Sequence, residues 1–163
     1  MPTNFNNKTF KEALSSLPVP QQRRVASRFI EKVLDLADER CLDNVVKLFS
    51  NQDISAQDLE ASYRRARSIY VDTHPHSDLS ELNFLQQAKH FVAEACMTCV
   101  APVYEEAMVC HLAQKVAMYC RMARAYANMD HEEDSPDFSK AEESTKKSIE
   151  EQYAILQAFL NNI

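Results

Sequence analysis

Apolar residues recur along this chain at the 3.6-residue spacing of amphipathic helices, and no segment shows the tight alternation of a hairpin strand. Thr9 and Glu12 have capping-box spacing, so a first short helix is expected from Thr9 to about Leu17. Pro18-Val19-Pro20 breaks it, and Pro20 suits the first position of a second helix. Val25, Phe29, Val33 and Leu36, joined by Ile30, Leu34 and Ala37, give that helix a wide apolar face. Leu42, Val45, Val46 and Phe49 continue or restart it up to Ser50-Asn51. Ser55 and Asp58 cap the next helix, where Ala56, Leu59, Tyr63, Ala66 and Tyr70 form one stripe. Its outer face carries Glu60, Arg64, Arg65 and Arg67, and His74-Pro75-His76 ends it.

A long helical stretch is then expected from about Asp78 to Val100, with Leu85, Ala88, Val92, Ala95, Cys96 and Cys99 on one side. A single helix on to Met129 would be far longer than a globular domain uses, which predicts a break near Ala101-Pro102. Val103 to Met129 is apolar nearly all round: Met108, Leu112, Val116, Tyr119, Ala123 and Tyr126 on one stripe, Val103, Ala107, Cys110 and Ala117 opposite. Such a helix belongs in the centre of a bundle. Ser139 and Glu142 cap the last helix, polar in its first half and carrying Ile149, Tyr153, Leu156 and Leu160 in its second. The pattern predicts an all-α, single-domain bundle of five or six helices over residues 1–163, with a central buried helix. Residues 1–8 are expected to form a flexible arm, and residues 130–138 an acidic loop before the C-terminal helix.

Composition sharpens this picture through one absence: the 163 residues include no glycine. Phosphate-cradling loops, dinucleotide fingerprints and nucleophile elbows all need glycine for positive φ or close backbone approach, and they are excluded together. A net charge of −6 argues against a nucleic-acid partner, which calls for a basic surface. The opening Met1-Pro2-Thr3-Asn4 lacks the apolar core of a signal peptide, and no long uncharged apolar run occurs. A cytoplasmic protein without a membrane partner is expected, with Cys41, Cys96, Cys99, Cys110 and Cys120 as reduced thiols. No internal repeat is present, and no cofactor is implied.

Candidate chemistry is sparse. Cys96 and Cys99 make a C-x-x-C, but late in a helix, where the dipole does not activate a redox thiol. They are either small core residues or, with Cys110 and one of His111, Cys120 or Cys41, ligands for zinc or copper. His90 and Glu94 are i,i+4 neighbours pointing away from the apolar stripe, the arrangement of a solvated pair. Met97 also faces away from that stripe and marks a partner surface. His74, His76 and the run His131-Glu132-Glu133-Asp134 are weak cation ligands or solvated loop. Arg124 with His131, and Arg67 with His74, have the R-x4–6-H spacing of the helical HEPN ribonucleases, with Ala125 and Ser68 at the position where a polar residue usually follows the arginine.

Asp53-Ile54-Ser55 leads into a helix ending Arg65-Ala66-Arg67, and Val92-Ala93-Glu94-Ala95-Cys96-Met97-Thr98-Cys99-Val100-Ala101 precedes an Ala/Val-rich helix. Over about residues 39–117 this resembles the small all-α bacterial immunity-protein-like domains, with Cys96 and Cys99 where that family tends to have histidines. The resemblance implies a non-enzymatic bundle that binds another protein as an immunity protein, inhibitor or adaptor. A metal-binding bundle using the cysteines and a HEPN-type ribonuclease are the alternatives. Residues 130–151 hold nine acidic residues against Lys140, Lys146 and Lys147. Within them, Glu132, Glu133, Asp134 and Asp137 are the expected steering residues for a basic partner. Self-association stays open.

Overall fold

The computed structural model describes residues 4–37, 40–50, 54–74, 84–129 and 139–163. Among them lie eight α-helices and one 3₁₀ turn, with no strand. The helices are α1 (Asn7–Ser16), α2 (Val19–Glu31), α3 (Arg40–Leu48), α4 (Ala56–Asp72), α5 (Phe84–Cys99), α6 (Glu106–Val109), α7 (Leu112–Ala127) and α8 (Ser139–Asn161). None is long and apolar enough to cross a membrane.

The helix boundaries follow local chemistry. Helix α1 opens earlier than Thr9: Asn6 is the cap, its Oδ1 accepting from the Thr9 N–H at 2.9 Å while Thr9 Oγ1 accepts from the Asn6 N–H at 2.9 Å. Thr9 is therefore the closing residue of the box rather than its start. Within the expected arm Phe5 is packed, its ring 6.3 Å from Phe10 and 6.0 Å from Tyr153, while residues 6–8 are exposed at the start of α1. After α2 the chain restarts through a 3₁₀ turn, Leu34–Leu36, before α3. Ser55 caps α4 as expected, accepting from the Asp58 N–H at 3.0 Å, and Glu60 pairs with Arg64 at 3.2 Å.

The break at Ala101-Pro102 is present, and a second one lies inside the segment expected to be a single central helix. Residues 103–111 form turns around the four-residue α6, and α7 starts only at Leu112. The junction residue His111 has φ 53°, the left-handed conformation that glycine would supply at least cost. Its ring nitrogen Nδ1 meets Ser15 Oγ at 3.1 Å, which ties the strained residue to α1.

Helix α7 is the hub, packed on α1, α2, α5 and α8, and its broadest contact is with α5. Both facing surfaces are made of small residues: Ala88, Val92, Ala95, Cys96 and Cys99 on α5, Ala113, Val116, Ala117, Cys120 and Ala123 on α7. Small side chains let two helices approach closely with few voids. Helix α5 is also flanked by α4 and α2, so more than one of its faces is covered. Met97, expected to face a partner, is accordingly buried at 9% exposure, whereas Leu85 in the opening turn is exposed despite its place on the apolar stripe.

Polar side chains from the first turns of α2 satisfy the ends of other helices. Arg23, 5% exposed, donates from Nη1 to the Cys99 carbonyl at 2.7 Å and from Nη2 to the Ala101 carbonyl at 2.6 Å. Gln22 donates to the Leu17 carbonyl at 2.9 Å and accepts from the Ala113 N–H at 3.2 Å. On the opposite side of α7, Gln152 of α8 accepts from Arg121 Nε at 2.6 Å and donates to the Ala117 carbonyl at 3.0 Å.

Replacing Arg23 by Met keeps the volume but leaves two buried carbonyls unpaired. The expected loss is about 3 kcal/mol, with Arg23→Lys in between, read from urea unfolding midpoints. His111→Val is expected to be less stable than His111→Asn by about 1–2 kcal/mol, since β-branching is penalised at positive φ and Asn tolerates it.

Candidate functional site

The four cysteines whose side chains are described fall into two environments, and the Cys41 side chain lies outside the description. Cys96, Cys99 and Cys120 are buried between α5, α7 and α2, while Cys110 is exposed beside α6. Burial pushes the Cys99 thiol up to about 12 and raises Cys96 and Cys120 as well, which keeps all three protonated. The Cys99 thiol donates to the Arg23 carbonyl at 3.4 Å. Among the described residues no three His, Cys, Asp or Glu side chains are gathered as a metal site, so Cys96, Cys99 and Cys110 are not brought together as one.

The arginine–histidine spacings do not build a site in the described residues. Arg124 is engaged by Asp35, with Nη2 to Oδ1 at 2.7 Å, and also donates to the Lys32 carbonyl at 2.5 Å. Arg67 and His74 are both exposed on α4 and its C-cap. His76, His131 and the steering carboxylates Glu132, Glu133, Asp134 and Asp137 lie outside the described residues. A cleft of about 510 Å³ between α7 and α8 is lined by Arg124, Lys140, Lys147, Glu143 and Glu151. Its mixed charges, without an apolar wall, do not make a small-molecule pocket.

A polar cluster spanning α4, α5 and α7 lies where a solvated His90–Glu94 pair was expected. His90 is buried instead, because α4 packs over that side of α5. Its ring stacks on Tyr70 of α4, centroids 4.4 Å apart, and meets the His74 ring edge-on at 5.2 Å. Thr73 Oγ1 donates to the Ile69 carbonyl at 2.7 Å, so at 3.1 Å from His90 Nδ1 it is placed to accept the imidazole N–H. Burial holds His90 below its ordinary value of 6.5, His74 adds to the shift, and a hydrogen bond to the Tyr70 carbonyl opposes it.

Glu94, half-buried, lies one turn further along α5 on the same side. Desolvation raises its carboxyl pKa, against the lowering effect of a hydrogen bond from the Tyr119 hydroxyl. Tyr119 is pushed up to about 12 by burial and by the Glu94 charge. Phe91, between them, stacks with Tyr119 at 6.5 Å and with Tyr126 at 5.4 Å, and Phe84 lies 6.1 Å from Tyr126. Rising numbers on α5 pair with falling numbers on α7, so the two helices run antiparallel under this row of rings. Phe84, Phe91, Tyr119, Met122 and Tyr126 are half-buried, and Met118 on the same helix is 47% exposed. The helical pattern put Tyr119 and Tyr126 on one stripe with Leu112, Val116 and Ala123, and only Met118 and Met122 fall outside both apolar stripes of that segment.

The chain matches no protein-family model, no curated protein and no solved structure.

The two titrating groups act on stability with opposite signs. His90 has a depressed folded pKa, so the unfolded chain takes up its proton first and stability falls as pH drops below about 6.5. Glu94 has a raised one, so its contribution is complete below the ordinary carboxyl value of 4.5 and is lost as pH rises through the folded value. His90→Phe should therefore flatten the acid-side loss between about pH 7 and 5, and Glu94→Gln should steepen it, in unfolding midpoints measured across that range.

Proposed function

We propose that this protein is a non-enzymatic helical bundle that works by docking a basic protein, in the manner of an immunity protein, inhibitor or adaptor. The observation that carries the reading is the aromatic and methionine strip where α5 and α7 meet the surface: Phe84, Phe91, Met118, Tyr119, Met122 and Tyr126. Aromatic residues and methionine are enriched at protein interfaces, the first as rigid anchors and the second as an adaptable filler. Charge selects the partner. The chain carries −6 overall, and the segment with Glu132, Glu133, Asp134 and Asp137 follows in sequence a few residues after Tyr126, the last residue of the strip. An acidic segment that follows an apolar strip in sequence suits a basic partner and speeds its encounter. The resemblance to immunity-protein-like domains supports the same reading, and a basic toxin or nuclease matches the charge.

The test pairs two variants with the wild-type protein. Affinity capture from the native cell, repeated with Met118→Glu/Met122→Glu, identifies a protein whose retention depends on the strip. Stopped-flow association of that purified protein with a Glu132→Gln/Glu133→Gln/Asp134→Asn/Asp137→Asn variant is expected to be slower by about tenfold at low salt, with a flatter salt dependence. A helical strip variant that retains every captured protein would overturn the reading.

A further inference from the structure

Glu94 is a carboxylate in an aromatic setting, and among the described residues no lysine or arginine answers it. It shares a side of α5 with His90 and Phe91, which are four and three residues before it. His90 is stacked on Tyr70 of α4, and Phe91 on Tyr119 of α7, so Glu94 sits over α5 between those two neighbouring helices. Tyr70 and Tyr119 both feel its charge. An ionised carboxylate accepts up to about four hydrogen bonds, and the neighbouring Tyr119 hydroxyl offsets only part of its desolvation. Among the described residues no lysine or arginine pairs with it, and the nearby imidazole of His90 is held neutral by burial.

We propose that Glu94, bounded by the rings of Tyr70, Phe91 and Tyr119, receives an arginine side chain from the docked protein. The chemistry favours arginine over lysine for three reasons. A guanidinium donates two parallel N–H groups to one carboxylate, whereas an ammonium is a compact point charge. It is planar and stacks on aromatic faces, and here the Phe91 and Tyr119 rings lie 21° from parallel. It is also more weakly hydrated, so it loses less on entering a half-buried site. The inference deepens the docking reading and rests on it for the source of the arginine, while the site itself is testable without the partner.

The test is a carbon-detected NMR titration of the full chain, labelled in its glutamate carboxyls, with Nα-acetyl-L-arginine methylamide. The expected result is a saturable shift of the Glu94 carboxyl and the Tyr119 ring at millimolar probe, with a lower apparent pKa for Glu94 when the probe is bound. Glu94→Gln should abolish the Tyr119 shift. The lysine analogue should bind at least several-fold more weakly. No saturable shift at Glu94 of the wild-type chain overturns the inference, whether or not the variant folds, and leaves the docking strip standing. Equal binding of the lysine analogue overturns the choice of arginine. Failure of Met118→Glu/Met122→Glu to affect a partner overturns the docking reading and does not alter the Glu94 titration.

Discussion

The buried guanidinium of Arg23 is the contact on which the arrangement of the bundle depends. A helix leaves its last carbonyls without intrahelical donors, and a glycine in the left-handed conformation commonly closes them off. This chain has no glycine. Helix α5 also ends where Val100, Ala101 and Pro102 are buried, so water is a poor substitute donor. Arg23 reaches across from α2 and donates to the carbonyls of Cys99 and Ala101, at the negative end of the α5 dipole. Burying a guanidinium carries a large desolvation cost, and carbonyls aligned with a helix dipole offset it without a carboxylate. Because Gln22, next in sequence, bonds the end of α1 and the start of α7, one turn of α2 fixes the termini of three other helices.

That clamp sets how α5 and α7 meet. With their ends fixed and their facing surfaces made of Ala, Cys and Val, the two helices leave no room for large rings between them. Phe91, Tyr119 and Tyr126 are therefore displaced to the margin of the contact, where they stack on one another and remain partly open to solvent. The partly open strip is thus a consequence of tight packing beneath it. The strained His111 serves the same end, since it turns the chain from α6 into α7 at the level Gln22 requires.

On the other side of α5, the cover provided by α4 converts two ordinary surface residues into a polar cluster. His90 loses water and gains Tyr70, Thr73 and the edge of His74, so its neutral form is preferred. Glu94 loses less water, keeps the Tyr119 hydroxyl and remains reachable from solvent. A desolvated carboxylate beside aromatic rings attracts a flat cation more strongly than a fully hydrated one does, because less hydration must be displaced on binding. The electrostatic character of this face therefore depends on how α4 and α7 flank α5, beyond the net charge of the chain.

Helical periodicity and the absence of glycine determined much of the protein in advance: an all-α class, the caps at Ser55, the break at Pro102, and the small-residue stripe of α5. These are short-range properties, carried by spacing along one helix and by residues with restricted backbone. The same reasoning placed His90 and Glu94 in solvent and Met97 on a partner surface, because a wheel drawn for one helix has a single apolar face, whereas α5 is covered by α4 as well as by α7 and α2. It also joined α6 and α7 into one helix, since a left-handed histidine leaves no mark in hydrophobic periodicity. Arg23 reads along α2 as one more polar position in an amphipathic pattern. Only the packing of α2 against the buried end of α5 makes it a cap, because its two acceptors lie more than seventy residues away, at separations of 76 and 78.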